Sequence, residues 1–184
     1  MKATELLKRQ RRCVRALFSK VEVGESNALR ELSRMLVVQL AVERELFYPA
    51  VIHLAQNEVL DAWDNHSLAL KALARALAAR RHGRAFRSRV GVLKAVVLDL
   101  HATEENALFA QVERKIPDER LETLGSEMEA RFFSQLKRLW EKDYGARSRK
   151  RRTTELTRIA RGRCIFRRKR APVREPEQHF SRVA

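Results

Sequence analysis

The chain has 184 residues but only two cysteines, four prolines and six glycines. Cys13 and Cys164 lie far apart and fit neither a disulfide framework nor the spacing of a zinc site. A reducing, cytoplasmic setting is the simple expectation. So few turn-forming residues argue against a sandwich or barrel. Abundant Ala, Leu, Arg and Glu instead point to long helices. No apolar run reaches the roughly 18 residues that span a bilayer. The longest are broken by Gln39, Glu43 or Asp99. No apolar signal core precedes Arg9, Arg11 and Arg12, so an intracellular protein without a membrane span is expected. No Gly-rich phosphate loop, Ser-His-Asp order or Cys-His pairing is present, so the sequence offers no catalytic constellation.

Hydrophobic residues make up 45% of the chain, enough to build a core despite a net charge of +16. That charge is unevenly held. Residues 146–184 carry 14 basic and three acidic residues, net +11, which leaves +5 for residues 1–145. Two blocks dominate the tail: one includes Arg149, Lys150, Arg151 and Arg152, the other is Arg167, Arg168, Lys169 and Arg170. Such blocks repel themselves and read as a disordered arm suited to non-specific contact with nucleic acid or an acidic protein. Two units are expected: a helical bundle over 1–145 and a basic tail over 146–184.

Periodicity predicts five helices in the first unit. Helix one covers about 3–23. Helix two starts at an N-cap, Ser26, runs past Glu45 and is kinked or interrupted at Pro49. Helix three covers about 58–81 and helix four about 84–115. Helix five begins at Pro117 and ends near Tyr144. Four helices of this length with short connections make an up-down bundle, with the fifth packed across it.

The informative residues are those that break the apolar stripes. Arg11 shares a face with Leu7, Val14 and Phe18. Gln39 and Glu43 share one with Leu32, Met35, Leu36, Leu46 and Phe47. His66 lines up with Trp63, Leu70, Leu73 and Leu77. His101 and Glu105 line up with Phe86, Val90, Val97 and Phe109. One such residue is ordinarily a satisfied core histidine or a drift of the helix surface. A polar residue at mid-length on all four buried faces is costly unless the groups pair or share a cation. An internal repeat supports this: Gln39-x3-Glu43-x3-Phe47 matches His101-x3-Glu105-x3-Phe109. An i,i+4 pair puts both side chains on one face, one turn apart. Glu104 lies off the Phe109 register and ranks behind Glu105. Tyr48 reads as a core aromatic.

Several segments together resemble the hemerythrin-like (HHE cation-binding) domain family. They are Arg12-Cys-Val14-Arg-Ala-Leu17-Phe18, Glu43-Arg-Glu45-Leu46-Phe47-Tyr48-Pro49-Ala50, His66, His101-Ala-Thr-Glu-Glu105-Asn-Ala-Leu108-Phe109 and Leu124-Gly125-x-Glu127-Met128-Glu129-Ala130-Arg131. The likeness covers roughly residues 3–140. It implies an all-α four-helix bundle holding a non-haem di-iron centre, ligated in the order His, His-x3-Glu, His, His-x3-Glu. Carried over, that pattern falls on Arg11, Gln39, Glu43, His66, His101 and Glu105. Glu43, His66, His101 and Glu105 match it; Arg11 and Gln39 replace histidines. Arg cannot ligate, and a Gln carbonyl is a weak ligand.

Two outcomes follow. In the first, one iron or other divalent ion is held by His66, His101, Glu105 and a bridging Glu43, and the protein senses oxygen, iron or redox state. In the second, no metal binds, and Arg11 takes the place of a cation by pairing with Glu43 or Glu105; this is the reading preferred for the first half-site. The alternative function is a metal-free helical scaffold whose basic tail does the binding.

Overall fold

A computed structural model describes residues 1–80 and 83–144. The tail blocks Arg149–Arg152 and Arg167–Arg170 lie outside the described residues. Among the described residues every regular element is helical. Helix α1 is Ala3–Glu22. Helix α2 comprises Ala28–Val42, a π-helical turn at Glu43–Phe47 and a last turn at Tyr48–Val51. Helix α3 is Gln56–Leu77. Helix α4 comprises Arg84–Thr103, a second π-helical turn at Glu104–Phe109 and Ala110–Lys115. Helix α5 is Asp118–Tyr144.

The architecture is two antiparallel hairpins, α1–α2 and α3–α4, with α5 packed against both α1 and α2. No helix is long and apolar enough to cross a membrane among these residues. The stripe expected on α1, Leu7, Val14 and Phe18, is inside. Of the helical-spaced stripe Leu121, Leu124, Met128, Phe132, Leu136, Leu139 and Trp140 expected on α5, Leu121, Met128, Phe132 and Leu136 are buried, and Leu124, Leu139 and Trp140 pack against the core partly buried. Each fully buried side chain contributes about 1.5–3 kcal/mol.

Three local expectations need correction. Helix α2 starts at Ala28, and its N-cap Asn27 makes no side-chain capping bond, so Ser26 is not the cap. As expected near Pro49, the regular α ladder is interrupted: the proline falls in the first turn after the π segment. Its ring would clash with the carbonyl of Glu45, and the wide π turn there relieves that crowding. Helix α3 ends at Leu77 rather than near Arg81. Its buried face is Val59, Ala62, His66, Ala69, Leu73 and Ala76, whereas Leu77 is exposed. Alanines on that face let α3 lie close to α4, which a row of leucines would prevent.

Glycine matters at one contact. A Cβ on Gly125 of α5 would stand 2.3 Å from the carbonyl oxygen of Met1 and 2.9 Å from the amide of Ala3. The start of the chain therefore lies directly against the α5 backbone.

Candidate metal centre

The bundle interior holds a polar cluster at mid-length. Arg11, Gln39, Glu43, His66, His101 and Glu104 are all buried. Burial of this many polar groups is tolerable only if they satisfy one another or share a cation.

Arg11 is fully buried and sits at the centre. Its Nη1 donates to the backbone carbonyl of His101 at 3.0 Å and to Glu105 Oε1 at 3.3 Å. Its Nη2 donates to Glu43 Oε1 at 3.4 Å and, in a short contact, to Glu104 Oε2. The guanidinium also lies 4.5 Å from the centre of the Phe109 ring. One planar cation thus faces three carboxylates from two helices, which the fixed fork of donors in Arg suits. Burial pulls the Arg11 pKa down, but Glu104, Glu43 and Glu105 outweigh it and hold the pKa above the ordinary value.

Beside this pair lies a second arrangement. His66 Nε2 is 3.0 Å from Glu43 Oε2 and 2.6 Å from the Tyr48 hydroxyl. The Tyr48 hydroxyl donates in turn to Glu104 Oε1 in a short bond. Glu43 Oε2 receives no well-directed hydrogen bond, and neither does Nδ1 of His66. One donor atom each from Glu43, His66 and Glu104 lies within 4.8 Å of the others, so these three buried residues form a group able to hold a metal ion.

The charges respond to this crowding. Burial would raise the Glu43 carboxyl, but His66 and Arg11 beside it bring it down to about 2. Glu104 is pushed up to about 7, first by burial and then by the negative charge of Glu43. Burial and then Arg11 depress His101 to about 3, so its ring is neutral at pH 7. Burial also raises the Tyr48 phenol, reinforced by Glu43 and Glu104, so it stays protonated and acts as a donor.

The residues read from the sequence are therefore gathered in one place, with two changes. Glu105 was expected in the inner group, but its side chain is 27% exposed and touches only the rim of Arg11. Glu104 takes the inner position. The reason is the π turn at Glu104–Phe109, which accommodates more residues per turn and brings a side chain at i−5 from Phe109, rather than i−4, onto the core face. In the repeat partner the π turn begins at Glu43 itself, so the motif position keeps its inward direction there. A one-residue offset between two π turns escapes any reading based on a uniform 3.6-residue period. The second change is Tyr48, read as a core aromatic. It is fully buried and packs against Trp63, but its hydroxyl joins His66 to Glu104.

His101 and Gln39 form the remaining side of the cluster. The Gln39 amide donates to Glu43 Oε1 at 3.2 Å, and its nitrogen lies 3.4 Å from His101 Nε2. The amide thus occupies the lone pair of a neutral imidazole. His101 is not one of the three converging donors.

No family model and no curated protein matches the chain. Among solved structures, the chain is similar to a hemerythrin HHE cation-binding domain-containing protein from Mycobacterium kansasii, an Rv2633c homologue. The identity is 23%, the TM-score is 0.70, and the match covers 88% of this chain and 99% of that one. The resemblance read in the sequence thus holds at the level of architecture: the chain has the hemerythrin-like all-α bundle fold.

Proposed function

We propose that this protein binds a single divalent metal ion on Glu43, His66 and Glu104, with Arg11 standing in for a second ion. The observation that carries this reading is the convergence of one donor atom each from three buried residues within 4.8 Å. That spread is close to the roughly 4 Å across an ion whose bonds are about 2.0–2.2 Å. Two carboxylates and an imidazole suit Fe(II), Mn(II) or Zn(II) better than a soft ion. The name of the similar M. kansasii protein, a cation-binding domain, points the same way.

Formal charge supports one ion rather than two. Glu43, Glu104 and Glu105 carry three negative charges, and Arg11 returns one. A single divalent ion brings the cluster to neutrality. A second would leave two uncompensated positive charges in a buried site, which is expensive.

Bound metal would supply a fixed positive charge and, for iron, a one-electron couple. The residues of the chain have separate tasks. Tyr48 holds Glu104 and His66 in register, Gln39 holds Glu43 against His101, and Arg11 neutralises the carboxylates. Iron as the ion, and sensing of oxygen, iron or redox state as the role, are the finer form of this proposal.

The test is an anaerobic titration of chelator-treated protein with Fe(II), Mn(II) and Zn(II), followed by desalting and elemental analysis. One ion per chain is expected, with an oxygen-dependent near-ultraviolet band for iron. Two irons per chain, or none retained, would overturn the proposal.

A further inference from the structure

The basic residues of the bundle are themselves unevenly placed. Between Lys71 and Asp99 the chain has seven Lys and Arg residues and no acidic one. Its described residues lie at one end of the bundle, on and just after the last turns of α3 and on the first half of α4. Arg75, Arg80, Arg84, Arg87 and Arg89 are all exposed.

On the α1 face several surface cations have carboxylate partners. Lys2 meets Asp118 at 2.8 Å, Lys8 meets Glu113 at 3.0 Å and Arg9 meets Glu129 at 2.6 Å. Among the described residues of the α3–α4 end, Lys94 alone meets a carboxylate, that of Glu22 at 2.7 Å. Among the described residues none of the five arginines meets a carboxylate. Arg89 Nη1 instead donates to the Arg75 carbonyl at 3.3 Å, which draws like charges from two helices together.

Local electrostatics opposes this arrangement. Arg84 and Arg87 occupy the opening turns of α4, where the helix dipole favours acids, and the first turn has none. Cations concentrated against the dipole and against each other are relieved by an external anion. All five are arginines, whose planar forks bind phosphate oxygens in pairs. They are also too spread out for one small anion. Arg84 and Arg89 alone are separated by about 7.5 Å of helix, a distance that spans about two phosphates of a duplex strand.

We propose that the α3–α4 end is a docking surface for the phosphate backbone of double-stranded nucleic acid, separate from the basic tail. Phe86 is half-buried, and over residues 84–95 of α4 the other exposed positions besides the arginines are Ala85, Ser88, Gly91, Val92 and Ala95, so this stretch has neither a stacking aromatic nor the broad apolar face of a membrane-seeking helix. Binding is therefore to backbone rather than to sequence.

The test uses the full chain and a short fluorescein-labelled duplex DNA, with anisotropy read across a salt series. The triple variant Arg84→Gln, Arg87→Gln, Arg89→Gln removes three charges from exposed positions, and circular dichroism checks its fold. Its affinity at low salt should fall at least about tenfold, and the slope of log K against log salt should drop by about two to three. A control with three paired cations neutralised, Lys2→Gln, Lys8→Gln and Lys94→Gln, should lose clearly less. An unchanged slope in the arginine variant overturns the proposal, including the case in which residues 146–184 alone hold the DNA. So does a loss of binding to phosphatidylserine vesicles with DNA binding intact, which would assign the surface to a membrane. The assay involves no metal, so its outcome is independent of the metal proposal.

Discussion

Arg11 of α1 donates to Glu104 of α4 in the interior of the bundle, and neither side chain reaches solvent to any useful extent. A buried ion pair of this kind adds little net stability by itself, because both charges lose their water. Its consequence is local. It sets a permanent cation beside Glu43, where hemerythrin-like resemblance calls for a histidine and a metal.

Replacing Arg11 with Met should leave three carboxylates without their cation. The metal-free chain should lose about 3–5 kcal/mol. Saturating divalent metal should restore part of that, read as a larger upward shift in melting temperature than metal gives the parent. Arg11→His should raise the retained metal from one ion toward two. Equal metal content in Arg11→His and the parent would argue against Arg11 as the stand-in.

The carboxylates of Glu104 and Glu105 should separate cleanly. Glu104→Gln removes a donor from the buried group and should weaken metal binding by at least about tenfold to a hundredfold. Glu105→Gln touches a partly exposed residue at the rim and should change it by less than about threefold. Isothermal titration with Zn(II) measures both. The reverse ranking would mean that the motif register, not the π turn, governs the site.

Stability of the metal-free chain should depend on pH in two stages. Glu43 is depressed from 4.5 to about 2 and His101 from 6.5 to about 3, so both contribute stability that is lost on acidification. Glu104 is raised from 4.5 to about 7, so it contributes stability below 4.5 that is lost as pH rises through 7. Between pH 7 and 4.5, Glu104 and His101 oppose each other and stability should change little. Below 4.5 Glu43 and His101 act together, and stability should fall steeply until about pH 2–3. Urea midpoints across this range check it. Metal affinity should follow a simpler course, weakening as pH drops through 7 because Glu104 must give up its proton to ligate.

Gly125→Ala places a methyl group 2.3 Å from the Met1 carbonyl oxygen. The backbone of residues 1–3 must shift, so stability should fall by about 1–3 kcal/mol, although Ala is the better helix former. Thermal melting reads this directly, and a stabilised variant would show that the contact is loose.

Much of the architecture was legible because helices advertise themselves. The stripes of α1 and α5 repeat at helical spacing, and their buried sets agree with that spacing. The site was legible for a second reason: polar residues on an apolar face are expensive and therefore conspicuous. Arg11, Gln39, Glu43, His66 and His101 were each found that way, and all five are inside. Leu77 misled because periodicity cannot tell that an alanine row will face the neighbouring helix. Glu104 was ranked second because a π turn leaves no compositional trace. Tyr48 was read by its ring, and the partners of its hydroxyl come from α3 and α4, distant in sequence.

By itself the sequence determined that the chain makes helices and that four of them carry polar groups on their apolar faces, local facts settled by residue type and period; that Arg11 stands where a ligand is expected came from the family resemblance. Only tertiary structure decided which groups meet. Arg11 and Glu104 lie 93 positions apart, and whether they touch depends on how α1 and α4 align and on one widened turn. The widened turn rotates a side chain by about a quarter circle, enough to exchange Glu105 for Glu104 at the centre of the bundle.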